Sequence, residues 1–439
     1  LFPYTTLFRS GSDVADPTLV VPNRLGDPSL FAPHRPFGFN LSAHQFNRLG
    51  NMLAAGTPVQ VRVRVRTTMD SGAIPLVVAT LEGGEQERDR VLLVSALGAA
   101  GSALGAACLV EILATLGGLV VDGALPPLRR SLQLVVAPEP IALVAWLDEL
   151  GDAVQCARAA LLLEIGEAGQ AARMRLEPSP PVRPCFVPDL VGAHLGWAAR
   201  ARGAFRGDVP VELRSAPYGG DSPLLPLVDR ELGIPAAALR CIGDGGGCGP
   251  VSHGPLHRLT AGACAAAFDL CALGDADVPR LLCNSQLRGQ RRMVARAEAL
   301  QRQIEAALHQ DEPASRDGRH LLHLAGAGLA EGVRREGAVM RSCGAFLDGP
   351  GQHALPLAET VASLEEVGQQ LQRALALKVA GAFGPRVKLV PRRAPLTALE
   401  RRADSVRVVR HYRGPFPRET LLRDAAAADR EWLVHNAGA

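Results

Sequence analysis

Residues Val91–Glu111 read VLLVSALGAAGSALGAACLVE. A continuous apolar run, a Gly/Ala/Ser stretch and a second apolar run together predict a buried strand, a loop and a helix. In an α/β enzyme, such a strand-to-helix loop is where catalytic side chains are mounted. This one carries no acid, base or metal ligand before Glu111.

The same alternation extends in both directions. PLVVATLEG, RVLLVSAL, RRSLQLVVA, ARAALLLEIG and GIPAAALRCIG predict strands, while ACLVEILATLGGLVV, Ile141–Leu150 and Leu259–Leu273 predict helices. Near-continuous apolar strands between amphipathic helices indicate an α/β layer fold with a mixed, mostly parallel sheet covered on both faces. Upstream, FGFNLSAHQFNRLGNMLAAG predicts a short helix. VQVRVRVRTT predicts a half-buried strand with Val59, Val61, Val63 and Val65 on one face. Its arginine row lacks the interleaved aromatics that base stacking would use, so it is the solvated face of a sheet.

After Asp275 the composition shifts to Arg, Gln, Glu and Ala, with helices predicted over 280–310, 318–343 and 357–379. SVRVVRHY then predicts a strand before a Pro-capped helix, a pattern compatible with a winged-helix end. Eight arginines between 386 and 413 are interrupted by Glu400 and Asp404, and Glu419 and Asp424 follow, so protein contact is expected there rather than DNA.

Composition bounds the function. The chain has 439 residues, 47% of them hydrophobic, enough for a full core and two or three domains. A net charge of +3 makes a nucleic-acid or membrane partner unexpected on bulk electrostatics. Nine cysteines without a CxxC pair are expected to be reduced, with Cys108, Cys264 and Cys271 buried. No run of about 18 uninterrupted apolar residues is read, so no membrane span is expected and a cytoplasmic location is the default. Residues 1–10, LFPYTTLFRS, resemble translated adapter read-through and are set aside. On that reading the native N-terminus lies upstream, and a leader stays open.

The motifs VLLVSALG…GSALGAACLVEILATL, LPPLRRSLQLVVAPEP, ALLLEIGEAG, PYGGDSPLLPLVDRELGIPAAAL and VSHGPLHRLTA, in this order, resemble the M28 family of zinc aminopeptidases. The likeness is to a branch with a protease-associated domain before the catalytic domain and a helical extension after it. It implies a three-layer zinc-exopeptidase-like fold. The expected divisions are a remnant of the N-terminal domain over 11–73, a peptidase-like α/β domain over 74–275 and a helical extension over 276–439.

The family holds two zinc ions by histidines and acids, with one Asp bridging. On this sequence the ligand His falls on Ala96, the Asp two residues later on Gly98, and the bridging Asp near Gly101. Ligand-capable chemistry persists at Glu139, as catalytic base or ligand, at Glu164, and at His253. Asp221 in GGDSP resembles a substrate-binding turn whose order is disturbed. Read alone, Glu139 is a polar strand end, Glu164 the edge of an LLL run and His253 an exposed loop residue. Cys241, Cys248, His253 and His257 have a spacing unlike zinc fingers, and GDGGGCG precedes no GK[ST].

Two or three ligands without the bridge do not make a tight catalytic zinc site. The expectation is a catalytically degenerate metallopeptidase homologue with no cofactor, binding a peptide or protein. Its alternatives are an active enzyme with zinc in a rearranged or single-metal site, and a scaffold acting through its C-terminal helices. Glu139, Glu164 and His253 are expected to line one metal-free pocket, His253 pairing with a glutamate and the Gly98–Gly105 loop closing over it.

Overall fold

The structure, a computed structural model, describes residues 8–10, 39–56, 59, 73–84, 86–97, 103–138, 140–165, 173–180, 183–201, 212–215, 226–228, 232–241, 253–308, 318–346, 354–383, 398 and 401–402. The predicted strand at VQVRVRVRTT and the predicted winged-helix end lie outside them, apart from Val59.

In chain order the elements are β1 (Phe8–Ser10), β2 (Phe39–Leu41), α1 (Ala43–Ala54), β3 (Val77–Leu81), β4 (Gln86–Ala96), α2 (Ala103–Val121), β5 (Arg130–Ala137), α3 (Pro140–Leu150), a 3-10 turn (Gly151–Cys156), β6 (Ala157–Ile165) and β7 (Arg173–Glu177). There follow α4 (Val187–Arg200), β8 (Glu212–Ser215), β9 (Ala236–Cys241), α5 (His253–Ala272), a 3-10 turn (Asp275–Asp277), α6 (Val278–Leu308), α7 (Gly318–Phe346) and α8 (Ala354–Phe383). β1 and β2 pair in parallel. Helix α1 starts where the sequence carries a capping signal. Ser42 Oγ accepts from the Gln45 amide at 3.2 Å, and Gln45 Oε1 accepts from the Ser42 amide at 3.1 Å.

Seven strands form one sheet in the order β3-β5-β4-β6-β9-β7-β8. Its centre, β5-β4-β6-β9, is parallel throughout, with β3 and β7 antiparallel to their inner neighbours. The central strands are buried on both faces, which is why they read as unbroken apolar runs; all eight residues of β5 are buried. Leu92, Val94, Val135, Ala137, Ala160 and Leu162 pack under α3 and Val154. Val91, Leu93, Leu132, Leu134, Leu161 and Leu163 pack under α2, α4 and α5. The sheet is therefore the middle of three layers.

Helix α2 is long and apolar enough by length and composition to cross a membrane, although Glu111 interrupts its apolar run. Here its face Gly105, Cys108, Leu109, Ile112 and Leu116 is buried in the core. Gly105 sets its distance from the sheet: a Cβ there would fall 2.6 Å from Ser95 Oγ and 2.8 Å from the Leu163 carbonyl oxygen.

The composition change at residue 275 is not a break in packing. Val278, Leu281 and Leu282 of α6, Val339, Met340, Cys343 and Phe346 of α7, and Leu364 of α8 join the same buried cluster as the sheet. Beyond it the three long helices bury Met293, Ala297, Ile304, Leu329, Leu375 and Val379 among themselves. Arg130, 1% exposed at the start of β5, joins the two halves. It donates Nη1 to the Leu273 carbonyl at 2.7 Å and Nη2 to the Phe346 carbonyl at 3.3 Å.

The seven cysteines with described side chains are free thiols, and Cys108, Cys185, Cys271 and Cys343 are buried. Cys264, expected inside, is only partly covered. Burial nonetheless pushes its thiol up to about 11, with Glu111 adding to the shift.

Candidate functional site

The four parallel strands end along one edge of the sheet, at Ala96, Ala137, Ile165 and Cys241. The chain leaves β4 toward α2 on one face and leaves β5 toward α3 on the other. Where neighbouring strands send their connections to opposite faces, a crevice opens beyond their carboxyl ends, and ligands of open α/β sheets bind there.

Register places the candidate residues along this edge. Ala96 of β4 is opposite Ala137 of β5. Val94 pairs with Leu162 of β6, so two residues on, Ala96 and Glu164 stand level. Strand alternation puts Ala96 and Glu164 on the face of Val94, Leu162 and Ala137, under the α3 layer. Glu164 lies opposite Arg240 of β9, is half-buried, and its Oε2 is closed to solvent.

Glu139, two residues past the end of β5, lies outside the described residues, as do Asp221, Gly98 and Gly101. His253 is placed by its backbone only. It is the first residue of α5, so the expectation of a loop histidine ahead of a helix at Leu259 is corrected. Pro255 does not prevent the earlier start, because in the first turn its missing N–H would have no partner anyway. The expected Gly98–Gly105 loop is corrected in part: Ala103, Leu104 and Gly105 already belong to α2, held against β4 and β6 by the close approach at Gly105. The expected pairing of His253 with a glutamate falls outside the described side chains.

A zinc pair needs several converging donors, four for a closed site and three plus water for a catalytic one. Of the carried-over positions with described side chains, Ala96 offers a methyl group and Glu164 a carboxylate. Among the described residues, no three His, Cys, Asp or Glu side chains gather as a metal site. Among the described side chains, these positions supply one carboxylate, Glu164, which by itself does not hold a zinc pair.

Two polar networks were not legible in the sequence. His194 Nε2 is 2.7 Å from Asp269 Oδ2, and Arg280 donates to both oxygens of Asp269 at 2.8 and 3.1 Å. Burial alone would raise the Asp269 carboxyl, but His194 and Arg280 outweigh it and hold it near about 2. The second network joins α4, α6 and α7. Arg292 donates to Asp189 at 2.5 and 3.0 Å and to Glu336 at 2.8 and 2.6 Å. Burial pushes the Asp189 carboxyl up, against the pull of Arg292. The partners lie 75, 11, 103 and 44 residues apart, which no local pattern connects.

No protein-family profile matches the chain, and no curated protein sequence matches it. Solved structures do. An aminopeptidase from Aneurinibacillus sp. strain AM-1 aligns at 17% identity and a TM-score of 0.29, covering 45% of this chain and 48% of that one. A peptidase M28 precursor from Shewanella amazonensis SB2B aligns at 14% identity and a TM-score of 0.33, covering 45% of each chain. A metallo-carboxypeptidase from Burkholderia cenocepacia aligns at 10% identity and a TM-score of 0.29, covering 51% of this chain and 68% of that one. The alignment thus spans about half the length of the first two.

Proposed function

We propose that this chain is a metallopeptidase-fold protein of the M28 type whose hydrolytic centre has been dismantled, and that its crevice binds a peptide or protein segment without cleaving it. The observation that carries the reading is Ala96. It closes a central parallel strand, level with Ala137 and Glu164, at the crevice edge where the family resemblance calls for a ligand histidine. Gly98 and Gly101, at the next two ligand positions, have no side-chain donor either. Without a metal to lower its pKa from 15.7 to roughly 7, a crevice water is a poor nucleophile at neutral pH.

The reading is tested by incubating the full chain with aminoacyl-4-nitroanilides, with and without added zinc. It expects no release of nitroaniline above buffer. Turnover that chelator abolishes and His253→Ala removes would overturn it.

A second reading, a working single-metal enzyme using Glu139, Glu164 and His253, is favoured by one observation: Glu164 keeps a half-buried carboxylate at the crevice edge. That assay separates the two. The third reading, a scaffold in which residues 276–439 do the work and the α/β domain is a stable platform, predicts that those residues expressed alone keep partner binding, and the shared core weighs against that. Those residues by themselves would expose Val278, Leu281, Val339, Met340 and Phe346.

A further inference from the structure

Helix α4 presents Gly192 and Gly196 one turn apart, so they stack on one helix face, their Cβ positions about 6 Å apart. Guanidinium groups occupy the space their side chains would take. A Cβ at Gly192 would fall 2.9 Å from Arg288 Nη1, and one at Gly196 would fall 3.3 Å from Arg200 Nη1. Arg288 comes from α6 and Arg200 from the end of α4, so two like charges lie on neighbouring positions of one shelf. Arg291 follows one turn along α6 and is exposed.

Among the described residues, no carboxylate hydrogen-bonds Arg200, Arg288 or Arg291. The nearby acid, Asp189, already accepts from Arg292 through both oxygens. Arg288 makes only a long Nε bond to Asn284 Oδ1 at 3.4 Å, and among the described residues neither Arg200 nor Arg291 has a carboxylate partner. The guanidinium of Arg288 is lowered in pKa by burial first, opposed by Asp189, with Arg292, Arg291 and Arg200 pushing the same way as burial. Crowded guanidiniums with free N–H forks are matched by an oxyanion, whose oxygens accept two bonds from each planar fork.

We propose that Arg200, Arg288 and Arg291 form a binding site for a phosphate-class oxyanion on the α4–α6 seam, seated over Gly192 and Gly196. A compact group of three suits one tetrahedral anion rather than an extended polyanion. The anion is either free phosphate or the phosphoryl group of a modified peptide. The site stands apart from the crevice and does not depend on the peptidase reading.

The test uses the full chain in chloride buffer, followed by thermal unfolding and calorimetric titration with inorganic phosphate, a phosphoserine peptide and its unphosphorylated form. Phosphate should raise the melting temperature saturably, and chloride at equal ionic strength should not. Arg288→Gln and the exposed Arg291→Gln should each weaken phosphate binding about tenfold or more, the loss of one charge-assisted contact. Tighter binding of the phosphopeptide than of phosphate identifies a protein-borne group, and equal or weaker binding identifies the free anion. An equal rise in chloride, or a phosphate-dependent rise surviving in Arg200→Gln/Arg288→Gln, overturns the site.

Discussion

The guanidinium carbon of Arg130 stands 4.4 Å above the ring centroid of Phe346, joining the first residue of β5 to the last residue of α7. Phe186 packs edge-on against the same ring, at 5.2 Å between centroids and 69° between planes. A buried cation over an aromatic face, with carbonyls accepting from its Nη1 and Nη2, binds the sheet to the helical extension. Phe346→Ala is therefore predicted to cost about 3–5 kcal/mol. In urea, far-UV circular dichroism and fluorescence should still follow one shared transition. A mutant whose extension melts first, leaving the sheet intact, would contradict the continuous core.

Two glycines of α2 should respond in opposite directions. Gly105→Ala drives a Cβ against the Leu163 carbonyl, which is backbone of a central strand and cannot move aside, so a loss of about 1–3 kcal/mol is expected. Gly118 has open space where its Cβ would go, and Gly118→Ala should gain about 0.5–1 kcal/mol from helix propensity. Thermal unfolding of the two variants checks the pair. Equal effects would show that α2 is not seated on β4 and β6 as described.

Asp269 gives a pH signature. Its folded pKa of about 2 lies below the ordinary carboxyl value of 3.8, so its contribution is present above pH 4 and disappears as pH falls through 2. The whole effect is about 2 kcal/mol. The melting-temperature gap between the parent and Asp269→Asn should close over that acid window. A gap that is constant down to pH 2 would mean that His194 and Arg280 do not hold the carboxylate.

Arg292→Leu should be worse than either single acid deletion. It would leave Asp189, with a side chain 4% exposed, and Glu336, at 9%, without their shared cation, at a cost of about 3–5 kcal/mol. Asp189→Asn in the same background should recover part of that loss by removing one stranded charge. No recovery in denaturant titrations would remove the network from the account of how α4 holds α6 and α7.

The central strands were legible in the sequence because burial on both faces writes itself as unbroken apolar runs, as in VLLVSA and ALLLEI. Between Gly166 and Gly233 the sequence reading predicts no element, yet β7, α4 and β8 lie there. β7 and β8 are short outer strands whose RMRLE and ELRS mix charge with apolar residues, so neither shows a clean period. Helix α4 did carry a signal: Val187, Leu190, Val191, Leu195 and Ala198 recur at helical spacing behind Pro188 and Asp189. The preceding PSPPVRP masks it as a linker. At the site, the family order singles out Ala96 and Glu164, which strand register sets level near one edge of the sheet, whereas His253 begins a helix that the sequence reading starts later.

The central claim is tested most directly by the metal content of the purified full chain, prepared without chelator, passed through zinc-containing buffer, desalted and analysed by inductively coupled plasma mass spectrometry. The account predicts zinc well below one ion per chain, unchanged by Glu164→Gln. About two zinc ions per chain, lost on Glu164→Gln or His253→Ala, would contradict it.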